Sequence, residues 1–133
     1  MRLRRRLLTT PVPFASLKGP DVSTVITREE LAHAMSEGTV TVLEALPAAH
    51  YAAAHLPGAI NVPGDLTAAD AARMAPDPAR TVVVYCSGPG CRRSTTTAAA
   101  LTRAGYLDVR VYPGGKADWF TAGLPMESSA ATS

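Results

Sequence analysis

Two cysteines lie close together in the sequence, and the first has the surroundings of a nucleophile. Cys86 ends a buried, β-branched run and is followed directly by Ser-Gly-Pro-Gly. Gly and Pro end the strand and prevent a helix, and a helix is predicted to begin near Ser94. The backbone N–H groups of such a loop form an anion-binding nest, which the helix dipole reinforces. Positive potential there favours the thiolate, so the sequence predicts a nucleophilic Cys86 that handles a small anion.

The loop itself supplies the other candidate site residues. The amides from Ser87 to Arg92 are expected to form the nest, and Arg92 or Arg93 to steer the anion towards it. Ser94 is predicted to be the N-cap of the helix, with a hydroxyl near the thiolate as a second interpretation. The complete set is Cys86 as catalytic residue, with Ser87, Gly88, Pro89, Gly90, Cys91, Arg92, Arg93 and Ser94 around the anion.

Two interpretations of Cys91 remain open. It is either a resolving thiol, which forms a disulfide with a sulfenylated or persulfidated Cys86, or a spectator that fills the loop interior. A metal site is not expected, because a C-x4-C pair without further nearby ligands does not match structural zinc.

The elements that position this loop alternate between strand and helix. Thr27 and Glu30 have the spacing of a capping box, and the helix that follows is predicted to end at Gly38. Alternating elements predict an α/β fold, with a mostly parallel central sheet and helices on both faces. The predicted strands are Val22–Ile26, Thr39–Leu43, Ala59–Val62, Thr81–Tyr85 and Val109–Tyr112, and the other helices Pro47–Ala54, Thr67–Met74, the segment from Ser94 to Gly105, and Lys116–Thr121.

Composition narrows the class of protein. A chain of 133 residues with 47% hydrophobic residues suits one domain with its own core. A net charge of +2 is too small to indicate a nucleic-acid partner, and no apolar run approaches the roughly 18 residues of a membrane span. Two cysteines fit a reducing, cytoplasmic compartment with functional thiols. The oligomeric state is not predicted.

Both ends of the chain are expected to be less ordered than the middle. Residues 1–20 form a basic, proline-containing arm that is predicted to be mobile, residues 21–127 a folded domain, and residues 128–133 a disordered tail. The arm has the charge of a signal-peptide start, but prolines interrupt its apolar part and no cleavage site follows. This pattern favours a cytoplasmic location over secretion.

Three stretches in order resemble the rhodanese-like domain family. They are Tyr51–Pro63, which contains His-Leu-Pro-Gly-Ala-Ile-Asn; Val82–Cys86; and Gly105–Pro125, which contains Tyr-Pro-Gly-Gly, Trp119 and Ala-Gly-Leu-Pro. The resemblance covers residues 25–126 and implies the three-layer rhodanese fold. It also implies sulfur transfer through a persulfide on Cys86, without a metal or organic cofactor. The expected donor is a small sulfur-containing anion such as thiosulfate, and the acceptor a thiol, a protein thiol or a cyanide-like nucleophile.

Two departures from the family pattern keep alternatives open. Arg92 gives a C-x5-R spacing, which resembles the cysteine phosphatases and arsenate reductases built on the same fold. Glu44 and Leu46 stand where the family has Asp-Val-Arg, so a carboxylate is kept but an arginine is lost. The lost arginine predicts weaker thiosulfate turnover, and it leaves a third hypothesis, a non-catalytic rhodanese-like module that binds a partner or senses redox state.

The remaining polar residues are predicted to support the fold. Glu44 and His55 are the supporting residues of the site, and His55 is expected to hydrogen-bond the backbone and hold its turn. Packing or surface positions are predicted for His33, His50, Tyr85, Asp118 and Trp119.

Overall fold

The computed structural model describes residues 24–129, in which five strands alternate with five helices. The predicted arm and the last four residues of the predicted tail lie outside this range. Two other tail residues, Ser128 and Ser129, both hydrogen-bond the carbonyl of Ala52. The strands are β1 (Thr24–Val25), β2 (Val40–Glu44), β3 (Ile60–Asn61), β4 (Thr81–Tyr85) and β5 (Val109–Tyr112), and the helices α1 (Arg28–Glu37), α2 (Ala48–Ala53), α3 (Ala68–Met74), α4 (Arg93–Arg103) and α5 (Gly115–Thr121).

The five strands form one sheet in the order β1-β5-β4-β2-β3. All four strand pairs are parallel, so the sheet is more regular than the mostly parallel one predicted. The last residues of β2, β4 and β5 are register partners: Glu44 pairs with Tyr85, and Tyr85 with Tyr112. Because parallel strands end at the same edge, the segments that follow them meet there. Cys86 is the first residue beyond that edge on the central strand.

Helices cover both faces of the sheet, as the sequence predicts. On one face, α3 and α4 pack Ala71 and Leu101 against Val82 and Val84. On the other, α1 and α5 pack Leu31 and Trp119 against Val83. Since β4 is buried on both faces, its continuous β-branched sequence is the one expected of a central parallel strand.

Local signals explain where several helices begin and end. Thr27 and Glu30 form the predicted capping box, and Gly38 ends α1 in the left-handed region at φ 71°. A second capping box, which the sequence analysis missed, joins Thr67 and Asp70 at the start of α3. None of the helices within residues 24–129 is long and apolar enough to cross a membrane.

Candidate active site

The central strand delivers Cys86 to the carboxyl edge of the sheet. Val82, Val83, Val84 and Tyr85 are fully buried, and Cys86 itself is only 2% exposed. The loop turns away at once and enters α4 at Arg93. Cys86 therefore lies between the end of β4 and the N-terminus of an eleven-residue helix, whose dipole favours negative charge there.

Cys86 and Cys91 are joined by a disulfide bond. A tight turn brings them together: the Cys91 amide donates to the carbonyl of Gly88 at 3.1 Å, and Gly90 adopts φ 90°. Their Cα atoms are 6.4 Å apart, within the usual range for a disulfide. Cys91 thus lies within bonding reach of Cys86, which a resolving role requires; the role itself stays a prediction.

The backbone of the loop differs in part from the predicted nest. The Cys91 amide is already used in the turn, and Pro89 has no N–H group, so neither contributes a free donor. Within residues 24–129, the amides of Ser87, Gly88, Gly90 and Arg92 have no hydrogen-bond acceptor. The loop therefore has fewer free donors than predicted, and their binding of an anion stays a prediction.

Ser94 is not the N-cap of α4. The N-cap is Arg92, two residues earlier, the helix begins at Arg93, and no side chain caps it. Ser94 is therefore in the first turn, where it is buried and its Oγ lies 3.4 Å from the Cys86 Sγ. From this position the hydroxyl can donate to a thiolate, which is the second interpretation made from the sequence.

Arg92 and Arg93 supply positive charge beside the loop. Both are exposed, and neither has a carboxylate partner in the described part of the chain. They line a cavity of about 240 Å³ together with Asp65, Thr96 and Thr97. Cys86 does not line this cavity. The two arginine side chains attract anions, and their role in steering one to the cysteine stays a prediction.

Glu44 is fully buried and supports the site from the neighbouring strand. Its Oε1 accepts a hydrogen bond of 2.5 Å from the Tyr85 hydroxyl, and its Oε2 pairs with the Lys116 ammonium at 2.9 Å. The Tyr85 oxygen also accepts from the Leu56 amide at 3.0 Å. Burial and the bond to Glu44 raise the pKa of Tyr85, which keeps its hydroxyl a donor. This network links β2, β4 and α5 at the edge where Cys86 lies.

Helix α5 also holds the cysteine loop through its backbone. The amides of Lys116 and Ala117 donate to the carbonyls of Cys86 and Ser87, at 2.9 and 2.8 Å. Gly115 makes this approach possible, because a Cβ at that position would lie 2.6 Å from the Cys86 carbonyl oxygen. Sequence reasoning missed Gly115 and Lys116 as parts of the site; the Gly-Gly-Lys sequence at the start of α5 was the available signal.

Comparison with known proteins agrees with this geometry. The family model described as the rhodanese-like domain matches residues 27–122. The chain belongs to the rhodanese-like family.

Relatives and solved structures extend the comparison. An HTH-type transcriptional regulator of Mycobacterium tuberculosis is 35% identical over 105 residues, which are 79% of this chain and 45% of that protein. The rhodanese-like chain thus spans less than half the length of that relative. A thiosulfate sulfurtransferase from Pseudomonas aeruginosa superposes with a TM-score of 0.67 at 27% identity, over 80% of this chain and 20% of that one. A Bacillus halodurans protein has the same fold, with a TM-score of 0.73 at 24% identity over 81% and 79% of the two chains.

His55 holds its turn in this rhodanese-like domain, as predicted. Its Nδ1 lies 2.7 Å from the carbonyl oxygen of Tyr51, and its ring stacks on the Tyr51 ring with centroids 3.8 Å apart. Its backbone exchanges two hydrogen bonds of 2.8 Å with Glu127. His55 therefore secures the loop before β3 to the end of the domain.

The other residues predicted to take packing or surface positions do so, and Asp118 also makes polar contacts. Trp119 is buried and donates to the carbonyl of Pro125, while His33 and His50 are exposed. Asp118 joins two elements: it pairs with Arg28 at 3.0 Å and accepts a hydrogen bond of 2.5 Å from the Tyr112 hydroxyl. These contacts fix α5 against α1 and β5.

Leu46 gives the other side of the cysteine loop an apolar character. It is buried and lines a second cavity, of about 300 Å³, with Ser87, Phe120 and Met126. Phe120 is 71% exposed although it lines this cavity. Within residues 24–129, no cluster of three or more His, Cys, Asp or Glu side chains has the arrangement of a metal site.

Proposed function

We propose that this rhodanese-like domain is a sulfurtransferase that carries sulfane sulfur as a persulfide on Cys86. One observation carries the proposal: Cys86 ends the central strand against the N-terminus of α4, with the Ser94 hydroxyl 3.4 Å from its sulfur. Thiolate is the nucleophilic form of cysteine, and both neighbours favour it. The family and the likeness to a sulfurtransferase structure support the same chemistry.

The reaction runs in two steps on the same sulfur. The Cys86 thiolate attacks the outer sulfur of an anionic donor such as thiosulfate, and sulfite leaves. We expect the unpaired amides of Ser87, Gly88, Gly90 and Arg92 to stabilise the negative charge on the terminal sulfur of the persulfide. An acceptor, either a thiol, a protein thiol or cyanide, takes this sulfur and restores the thiolate. All bond changes occur between sulfur atoms and the acceptor, so the residues named carry out the cycle without a cofactor.

Charge and shape around the loop suggest how substrates approach. Arg92 and Arg93 gather the anionic donor, whereas the cavity beside Leu46 is mostly apolar, and the Lys116 ammonium that lines it is already paired with Glu44. Thiosulfate, which has no apolar part, therefore gains little from the Leu46 side. The cycle also starts from a reduced Cys86, so it belongs in a compartment that reduces disulfides, such as the cytoplasm.

Intact mass spectrometry tests the proposal directly. The protein is reduced, freed of reductant and exposed briefly to thiosulfate, with Cys86→Ser and Cys91→Ser as matched variants. We expect one added sulfur atom on Cys91→Ser and none on Cys86→Ser, and thiocyanate from the wild type when cyanide is present. Failure of Cys91→Ser to take up sulfur, together with no thiocyanate from the wild type, would contradict the proposal.

The C-x5-R spacing and the disulfide favour a second candidate, arsenate reduction. In that reaction Cys86 attacks arsenate, and Cys91 then forms the disulfide as arsenite leaves. Arsenite formation that needs both cysteines, in protein that takes up no sulfur, is the result that selects this candidate. A phosphatase on the same loop would need only Cys86, and would hydrolyse a phenyl phosphate with Cys91→Ser as well.

A non-catalytic sensor is the third candidate, favoured by the disulfide and by a relative named as a regulator. It predicts reversible formation of the Cys86–Cys91 bond under mild oxidant, with no turnover of sulfur donor, arsenate or phosphate ester.

A further inference from the structure

The fate of the persulfide is not fixed by the transfer reaction alone. Once Cys86 carries a sulfane sulfur, a nucleophile can attack either the outer sulfur, which transfers it, or the inner Sγ, which expels it as sulfide. The first requires an external acceptor. The second requires a thiol that reaches the inner sulfur, and the structure contains one in the same loop.

Cys91 meets the geometric requirement for attack on the inner sulfur. The disulfide joins the Cys91 Sγ to the Cys86 Sγ itself. The loop that contains both cysteines therefore brings the attacking sulfur into contact with the inner sulfur of a persulfide. The turn that does this is part of the loop backbone, through the hydrogen bond from the Cys91 amide to Gly88. A spectator filling the loop interior would not need this approach.

We infer that the domain has a further activity, which rests on the proposed function: Cys91 resolves the Cys86 persulfide and releases the sulfane sulfur as sulfide. The Cys91 thiolate attacks the Cys86 Sγ, a new Sγ–Sγ bond forms, and the bond to the terminal sulfur breaks. The terminal sulfur leaves with the electron pair of that bond and takes up the proton that the Cys91 thiol lost on becoming a thiolate, so it is released as hydrosulfide. The sulfane sulfur is reduced by two electrons and the two cysteines are oxidised to the disulfide, so the step needs no other reactant.

The disulfide must be reduced before the domain can react again, and the different exposure of the two cysteines decides which sulfur an external thiol attacks. Cys86 is 2% exposed, whereas Cys91 is only half-buried. An external thiol or a dithiol protein therefore meets the Cys91 sulfur first, forms a mixed disulfide there and releases Cys86 as the thiolate. Ser94 and the helix N-terminus favour that thiolate, which makes Cys86 the better leaving group. A second thiol then frees Cys91, and the domain is ready for another donor.

A single-turnover experiment without any added thiol tests this activity. Reduced wild-type protein is freed of reductant and mixed with one equivalent of thiosulfate, and sulfide and intact mass are followed together. We expect about one sulfide for each protein that reacts, and a final mass two hydrogens below that of the reduced protein. Cys91→Ser is expected to keep its added sulfur and release no sulfide, and Cys91→Ala, which cannot donate from a side-chain hydroxyl, to behave in the same way.

The outcomes separate this inference from the proposed function. If the wild type keeps its added sulfur as long as Cys91→Ser does, and forms no disulfide, the inference is wrong while the sulfurtransferase proposal stands. If Cys91→Ser takes up no sulfur and the wild type makes no thiocyanate from cyanide, the proposed function fails and the inference fails with it. Sulfide from Cys91→Ser at the wild-type rate would show that residual reductant or solvent removes the sulfur, and would also overturn the inference. Thermal unfolding of both Cys91 variants checks that they are folded.

Discussion

At the scale of single residues, the proposed reactivity of Cys86 depends on the polar groups that surround its sulfur. The residue is buried, yet the described part of the chain places no carboxylate in contact with its sulfur. A hydroxyl, free amides and a helix N-terminus surround it instead. A buried thiol in apolar surroundings would be inert, so these few polar contacts decide whether Cys86 reacts.

Ser94→Ala is expected to slow sulfur uptake by roughly tenfold at neutral pH. A hydrogen bond to a charged group contributes about 1.5–3 kcal/mol, and a factor of ten corresponds to about 1.4 kcal/mol. The rate of alkylation of the reduced protein against pH measures the effect, because loss of the hydroxyl moves its midpoint upward. In this experiment Cys91→Ser is the background, so that only Cys86 reacts.

Thr95→Ala is the matched control for this change. Thr95 is the next residue of the same helix turn, but its side chain is exposed and makes no described contact with the cysteine. We expect its alkylation profile to coincide with that of the background protein. If the Ser94→Ala profile also coincides with that of the background protein, the Ser94 hydroxyl does not act on the thiolate.

At the scale of elements, the cysteine loop is held from outside by α5. The loop supplies only one internal backbone hydrogen bond, from Cys91 to Gly88, whereas α5 supplies two, to Cys86 and Ser87. The ion pair between Lys116 and Glu44 fixes the first turn of α5 to β2. The position of the nucleophile therefore depends on a helix that begins 29 residues later in the chain.

Gly115→Ala is expected to destabilise the domain and to misplace the loop. An alanine at φ 63° is strained by about 1–2 kcal/mol, and its Cβ would meet the Cys86 carbonyl oxygen at 2.6 Å and the Gly88 nitrogen at 2.7 Å. Because displacement of reacting groups by about 1 Å can cost about a hundredfold in rate, we expect sulfur uptake to fall by at least tenfold. Urea unfolding and the initial rate of uptake measure the two effects.

Gly123→Ala separates backbone strain from the clash. Gly123 has a comparable φ of 76°, but a Cβ there would meet nothing within 4 Å. It should lose a similar amount of stability from strain and keep its rate of sulfur uptake. Equal rates for the two variants would mean that the close approach of Gly115 does not position the loop.

The sequence could predict features that depend on local contacts, but not those that depend on contacts between distant segments. β-Branched runs and capping boxes act within a few residues, so Thr81–Tyr85 was predicted with the observed bounds and α1 with its observed caps. The N-cap of α4 was misplaced by two residues, because the actual cap, Arg92, has no side-chain hydrogen bond that a sequence pattern could reveal. The contacts of Gly115 and Lys116 join distant segments: the Gly-Gly-Lys sequence could indicate a close approach there, but not that the cysteine loop is what approaches. Likewise, the spacing of the cysteines permitted a disulfide but did not require one.

At the scale of the whole molecule, Asp118 joins three elements across the face that carries α1 and α5. Its carboxylate accepts a hydrogen bond from Tyr112 on β5 and pairs with Arg28 on α1, which in turn pairs with Glu29. The hydrogen bond from Tyr112, followed by the bond from Arg28, lowers the pKa of Asp118. Because Tyr112 also ends the strand beside β4, this pairing connects the outer helices to the edge of the sheet that bears the site.

The lowered pKa of Asp118 predicts a loss of stability in acid. A carboxyl whose pKa is lower in the folded state contributes stability above its unfolded pKa, which is about 4, and loses it as pH falls through the folded pKa. We therefore expect Asp118→Asn to lower the free energy of unfolding at pH 7, and to have a progressively smaller effect below pH 4. Urea unfolding from pH 7 to pH 2.5 gives both curves, which converge in acid if the carboxylate acts as described.

Asp65→Asn is the control: it removes a carboxylate that makes no such contacts, and its free energy of unfolding is measured over the same pH range. Asp65 is exposed and makes no hydrogen bond or ion pair within residues 24–129, so its removal should leave the curve parallel to that of the wild type. Glu30, Asp70 and Asp108 also have lowered pKa values, so Asp118→Asn removes only part of the acid dependence. A constant difference between Asp118→Asn and the wild type at every pH would instead assign the loss to packing. Packing alone would then hold α5 against α1 and β5 at Asp118, and the charge of this carboxylate would contribute nothing to the stability of the domain.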